Sequence, residues 1–145
     1  MGDFAKEINS TFANQKIKAI LNIKYTASWL DQIGTDILKP HNISEQQYNI
    51  LRILKGAGTE ITVTKVKSRM IQKSPNSTRL MDKLCEKKLI DRYRCESDRR
   101  VVFVKITRKG LDLLGRINMS DFDSYMNRLT ESEAKLLNKL LDKIR

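Results

Sequence analysis

The chain of 145 residues has little of what catalytic and metal sites are made from: 1 His, 2 Cys, 2 Pro and 1 Trp. His41 stands in a polar stretch after Pro40, with no acid and nucleophile spaced to use it. There is no glycine-rich phosphate loop and no paired-carboxylate motif either. An enzyme is therefore not expected, nor a metal or other cofactor. Cys85 and Cys95 make no metal framework and read as free structural thiols in a reducing cytosol. No apolar run approaches the ~18 residues of a membrane span. MGDFAKEINS has no apolar signal core, so a cytoplasmic location is expected.

What the chain has in excess is positive charge, a net +11, and it is concentrated. Between Thr62 and Gly110 lie fifteen of the 28 basic residues and only five of the 17 acids, so a surplus of ten falls in one third of the chain. An ordinary solvated surface mixes both signs. One segment that holds nearly the whole surplus points to a polyanionic partner.

Around that segment the pattern is helical. From Phe4 to Ile37, apolar residues recur at spacings of four or five, which predicts one long curved helix or two with a break, capped by Asp3 and ended by Pro40. ISEQQYNILRIL opens a second helix with Ser44 as cap, Gln47 closing a capping box, and Ile43 and Tyr48 spaced as a hydrophobic staple. Gly56-Ala57-Gly58 stops it. Thr62 can cap a short helix with Val63, Val66, Met70 and Ile71 inward. Ser74 can cap the next, with Pro75 in its first position and Leu80, Met81, Leu84 and Cys85 inward. LIDRYRC and RVVFVKI then read as strands joined by a turn at Glu96-Ser97-Asp98. Thr107 starts a further helical run through Leu129, with Ile106 and Leu111 as staple. Thr130 and Glu133 form a second capping box before Leu137, Leu140, Leu141 and Ile144.

Two short helices followed at once by a hairpin make a winged helix-turn-helix. A basic helix over about 75–87 suits a major groove about 12 Å wide, and a wing over about 89–106 reaches beyond it. Asn76, Arg79 and Lys83 fall on or near the outward side of that helix. Asn pairs bidentately with adenine and Arg with guanine. Ser74, Ser77 and Thr78 at the helix start are candidates for phosphates or bases. Any one of these is also what a solvated surface helix displays; the case rests on their belonging to one face of one basic segment.

These residues carry a family resemblance. STRLMDKLCEKKLIDRYRCESDRRVVFVKITRKGLDLL, with ISEQQYNILRIL upstream, resembles the core of the MarR (multiple antibiotic resistance regulator) family from about Ile43 to Leu114. The resemblance implies a dimeric bacterial transcription regulator, usually a repressor, on a pseudo-palindromic operator in double-stranded DNA. It also implies that a wing-tip arginine enters the minor groove. By position that residue is Arg100, oriented by Asp98, which leaves Arg99 for a phosphate or solvent. One departure stands out: Lys87-Lys88-Leu89 replaces the family's Lys-Gly-Leu. If position 88 is left-handed, lysine there costs about 1 kcal/mol relative to glycine.

The fold expected is mainly α with a small β-hairpin wing, in three parts: 1–42 for dimerisation, 43–107 for DNA, and 108–145 for dimerisation again. The apolar flanks could instead cover a monomer's core, but a stripe with Phe4, Phe12 and Trp29 exceeds what one winged helix needs. The family likeness further implies relief by a small aromatic effector, for which Tyr25, Trp29 and Tyr48 are the candidate lining. The rival reading is an architectural or non-specific nucleic-acid binder without effector response.

Overall fold

The computed structural model describes residues 2–145. Asp3 accepts the Ala5 N–H and caps α1 (Phe4–Glu7). The chain then breaks, and Asn14, accepting from the Ile17 N–H, starts α2 (Gln15–Leu38). The N-terminal stripe is thus two helices with a break. Pro40 does not push its neighbour out of helical geometry, as the sequence suggested. Lys39 stays right-handed, the chain tightens into a 3-10 turn over Lys39–His41, and left-handed Asn42 (φ 55°) is the true stop.

The helix α3 (Glu45–Ala57) carries the complete capping box, with the Gln47 N–H on Ser44 Oγ at 3.1 Å and the Ser44 N–H on Gln47 Oε1 at 3.0 Å. Ile43 is buried and Tyr48 packs on the same core, as a staple requires. Gly58 closes the helix in the left-handed region. Next comes a strand that the sequence pattern did not announce, β1 (Ile61–Thr62), and then α4 (Val63–Arg69), capped by Thr62. Val66 and Met70 are inward, but Ile71 is 86% exposed, because the helix ends at Met70 and the chain turns there.

The second helix of the motif, α5, spans Ser77–Glu86. Ser74 does not cap it. The Ser74 hydroxyl accepts the Asn76 N–H at 3.1 Å in a turn that holds Pro75, and Asn76 opens the helix without a side-chain cap. After β2 (Ile90–Arg94) and β3 (Val102–Ile106), Thr107 caps α6 (Arg108–Arg116). The helical run expected from there to Leu129 is broken over 117–119 before α7 (Ser120–Met126). The Thr130–Glu133 capping box then opens α8 (Glu131–Ile144).

The sheet is antiparallel in the order β1-β3-β2, with Ile61 opposite Val104 and Arg92 opposite Val104 on the other side. Around it a single core joins Ile50, Leu51 and Leu54 of α3 to Val66, Met81, Leu84, Ile90 and Val104. Each such residue, fully removed from water, contributes about 1.5–3 kcal/mol before the cost of ordering the chain. The core thereby locks α3, α4, α5 and the wing into one rigid frame.

Lysine does occupy a left-handed position: Lys88 has φ 58°. The surrounding hydrogen bonds account for its tolerance. The Lys88 and Leu89 N–H groups return to the Cys85 and Leu84 carbonyls. The carbonyls of Lys87, Lys88 and Leu89 accept from Lys109 Nζ, Thr107 Oγ1 and the Thr107 N–H respectively. Gly110 completes the clasp, because a side chain there would collide with the Leu89 carbonyl.

Candidate nucleic-acid interface

On α5, Met81 and Leu84 are completely buried, while Asn76, Thr78, Arg79 and Lys83 are exposed. Ser77 departs from expectation. It is 3% exposed and stands one and two helical turns before Met81 and Leu84, on the inward side. Its spacing of four and seven to those residues was the sequence signal for this. Thr78 beside it faces outward, and Lys67 Nζ of α4 donates to its hydroxyl at 3.3 Å.

The wing is joined to α5 by charge. Arg92 of β2 hydrogen-bonds Asp82 of α5, which fixes the hairpin's base against the helix. Alternation along β2 puts Arg92 and Arg94 on the face of buried Ile90, the face turned toward the helices. A groove results, lined by Val63, Thr78, Arg92, Arg94 and Val102. Sequence reasoning passed over Lys67 and Arg94 as functional candidates, although the period of two placed Arg94 with Ile90.

At the tip, the turn is Asp98-Arg99-Arg100-Val101, closed by the Val101 N–H on the Asp98 carbonyl at 3.0 Å. The turn thus lies two residues beyond the Glu96-Ser97-Asp98 expected, and both arginines form its corner. Asp98 Oδ1 accepts the Arg100 N–H at 3.1 Å and Arg100 Nε at 3.2 Å. Among the described residues Arg99 is bonded through its backbone, its carbonyl accepting from Arg94 at 2.8 Å. The two arginines are therefore not equivalent: the Arg100 side chain is held by Asp98, and the Arg99 side chain has no hydrogen bond among the described residues.

Neither cysteine is in a disulfide. Burial pushes the Cys85 thiol up from its ordinary value. The Cys95 thiol is shifted down, first by the Ser97 hydroxyl 3.1 Å away and then by backbone N–H groups of the wing turn. Among the described residues no helix is long and apolar enough to cross a membrane, and no group of three or more His, Cys, Asp and Glu could hold a metal ion.

The candidate effector residues separate. Tyr25 lies against Phe4 at 5.3 Å between ring centroids, and Trp29 meets Tyr125 edge-on at 4.8 Å. Tyr25 and Trp29 line one cavity of ≈ 310 Å³ together with Phe4 and Arg128. Tyr48 is not in it, since α3 commits that ring to the core beside Ile43.

Comparison with known proteins places this geometry. Residues 32–117 match the model of the family described as transcriptional regulator SarA/Rot. The HTH-type transcriptional regulator MhqR of Bacillus subtilis is 27% identical over 107 residues, covering 72% of this chain and 73% of that protein. A cysteine-to-serine mutant of E. coli MarR, solved in complex with operator DNA, superposes with TM-score 0.75 at 24% identity over 99% of each chain. The organohalide-sensing regulator RdhR, in its 2,4-dichlorophenol-bound form, superposes with TM-score 0.79 at 21% identity over 100% of this chain and 85% of its own. Helix-turn-helix, wing and family match agree, and the chain belongs to the SarA/Rot family of transcriptional regulators, built on the MarR-type winged-helix fold of DNA-binding proteins.

Proposed function

We propose that the chain is a homodimeric, sequence-specific repressor that acts in the cytoplasm on a pseudo-palindromic operator. In this reading α5 enters the major groove with Asn76, Thr78, Arg79 and Lys83, and the wing reaches the minor groove with Arg100. The observation that carries it is the chain of contacts that links basic residues of the helices and the wing: Lys67 on Thr78, Thr78 in one groove with Arg92 and Arg94, Arg94 on the Arg99 carbonyl, and Arg100 held by Asp98. Arg99 then meets a phosphate or solvent, and Ser74 and Ser77 serve the entry to α5 and not DNA.

Residues 1–42 and 108–145 carry the dimer in this reading. Supporting it, Ile17, Ile20 and Leu21 of α2 and Leu136, Leu137, Leu140 and Ile144 of α8 are 40–57% exposed, and no residue of α8 is buried. Two-fold pairing of these faces would set two copies of α5 about one DNA turn, ~34 Å, apart. Relief by a small aromatic molecule belongs to the same reading. It is supported by the dichlorophenol-bound relative and by the Tyr25–Trp29 cavity.

The test is titration of the full chain against genomic fragments at ~150 mM salt, where non-specific binding is weak. A few fragments bound far more tightly than the rest, two chains per site, is the expected result. Uniform affinity for all fragments would overturn it in favour of an architectural DNA binder.

A further inference from the structure

The outward side of α5 has two flanks. Thr78 and Asp82, one turn apart, face the wing: Thr78 shares a groove with Arg92 and Arg94, and Asp82 accepts from Arg92. Lys83 and Lys87, also one turn apart, face the corner where α2 ends and α3 begins. The Lys87 ammonium donates to the Asn42 carbonyl at that corner. Lys39, Lys83 and Lys87 line one cavity there, of ≈ 360 Å³, together with Thr35, Asn42 and Ser44.

Among the described residues no acid lines this cavity. The nearby carboxylates are engaged elsewhere: Asp36 accepts from Gln32, Asp82 pairs with Arg92, and Glu45 lies over Gly34. Glu86, although next to Lys87 in the chain, is not part of the lining. Lys39, Lys83 and Lys87 are in no ion pair among the described residues. Three ammonium groups around one open space repel one another, and a polyanion removes that cost.

We propose that this corner grips the phosphate backbone of duplex DNA on the flank of α5 away from the wing, with Lys39 and Lys87 as its phosphate contacts. The assignment rests on α5 lying in the major groove. From Arg79 to Lys87 the helix rises about 12 Å, close to the ~12 Å width of that groove. A helix that offers Arg79 to base edges therefore brings its last turn to the groove's wall. Lys39 stands on a different element, so its contact ties the end of α2 to the same stretch of backbone. Lysine meets phosphate as a point charge, and such contacts position a protein without reading sequence.

Fluorescence anisotropy of the full chain over a range of salt concentrations tests the proposal, on a retained genomic fragment and on a random-sequence duplex. Lys39→Gln and Lys87→Gln should each weaken binding about fivefold at ~150 mM salt and lower the slope of log affinity against log salt by about one. The loss should be equal on both duplexes, and Lys87→Arg should keep the parental slope. Lys39 is exposed, whereas Lys87 is fastened to Asn42, so Lys39→Gln is expected to unfold in urea like the parent whether or not Lys87→Gln does. An unchanged salt slope in Lys39→Gln, or a loss confined to the retained fragment, would overturn the phosphate site. Equal affinity of the parent for both duplexes would instead sink the repressor reading, and the slopes on either duplex would still decide this one.

Discussion

Asp98 Oδ1 grips Arg100 twice, at the backbone N–H and at Nε, while the arginine side chain stays 92% exposed. The carboxylate engages the inner nitrogen and leaves the terminal amino groups of the guanidinium open. An exposed ion pair contributes little to stability. In the proposed reading its effect is to narrow the directions in which the arginine can point before DNA arrives, which would lower the ordering cost of binding.

Arg100→Ala should therefore weaken DNA binding by about 1–3 kcal/mol and change folding stability by less than about 0.5 kcal/mol. Asp98→Ala, with the arginine intact, should lower affinity in the same direction. Fluorescence anisotropy on a retained genomic fragment, at several salt concentrations, measures both. Unchanged affinity and salt slope in Arg100→Ala would show that the wing tip does not reach DNA.

Lys88→Gly should stabilise the fold by about 1 kcal/mol, because the left-handed φ of 58° is strained for lysine and open to glycine. Urea unfolding is the measurement, with a raised midpoint and an unchanged m-value expected. A lower midpoint would mean that the bonds from Thr107 and Lys109 already remove the strain.

Glu45 makes stability pH-dependent in a stated direction. Its folded-state pKa is raised by burial and by Asp31, so the folded chain holds this proton more tightly than the unfolded chain does. The contribution is most favourable below the ordinary glutamate range and is lost as pH rises toward the raised value. Glu45→Gln should therefore unfold at higher urea than the parent near neutrality, with the gap closing near ~pH 4. A gap that widens on acidification would reverse the assignment.

The two thiols should react unequally. Cys95, lowered by the Ser97 hydroxyl, should be alkylated by iodoacetamide faster than Cys85, which burial raises. Peptide mass spectrometry at short times separates the two. Ser97→Ala should slow Cys95 alone, and equal rates in the parent would contradict the shifts.

Local signals were legible in the sequence because their partners lie three or four residues away. The Ser44–Gln47 and Thr130–Glu133 boxes and the Thr62 and Thr107 caps are all of this kind, whereas the left-handed turn at Lys88 was raised only as a condition, through the family resemblance. Ser74 failed as a cap because its hydroxyl found a nearer N–H, in the turn before the helix. The strand β1 was invisible: two residues have no period, and Ile61–Thr62 is a strand only because β3 lies beside it. Tyr48 was grouped with Tyr25 and Trp29 by residue type, yet packing sends it to the core.

By itself the sequence determined the class of partner and the frame that meets it. A charge surplus confined to one third of the chain, and helix and strand periods with their caps, depend on composition and near neighbours. Only the tertiary structure decided which side chains act together. The packing of β2 on α5 set Arg94 in one groove with Thr78, and the turn geometry separated an Arg100 side chain held by Asp98 from Arg99, bonded through its carbonyl. Residues so distant along the chain become neighbours only when the core closes, and no local pattern records that.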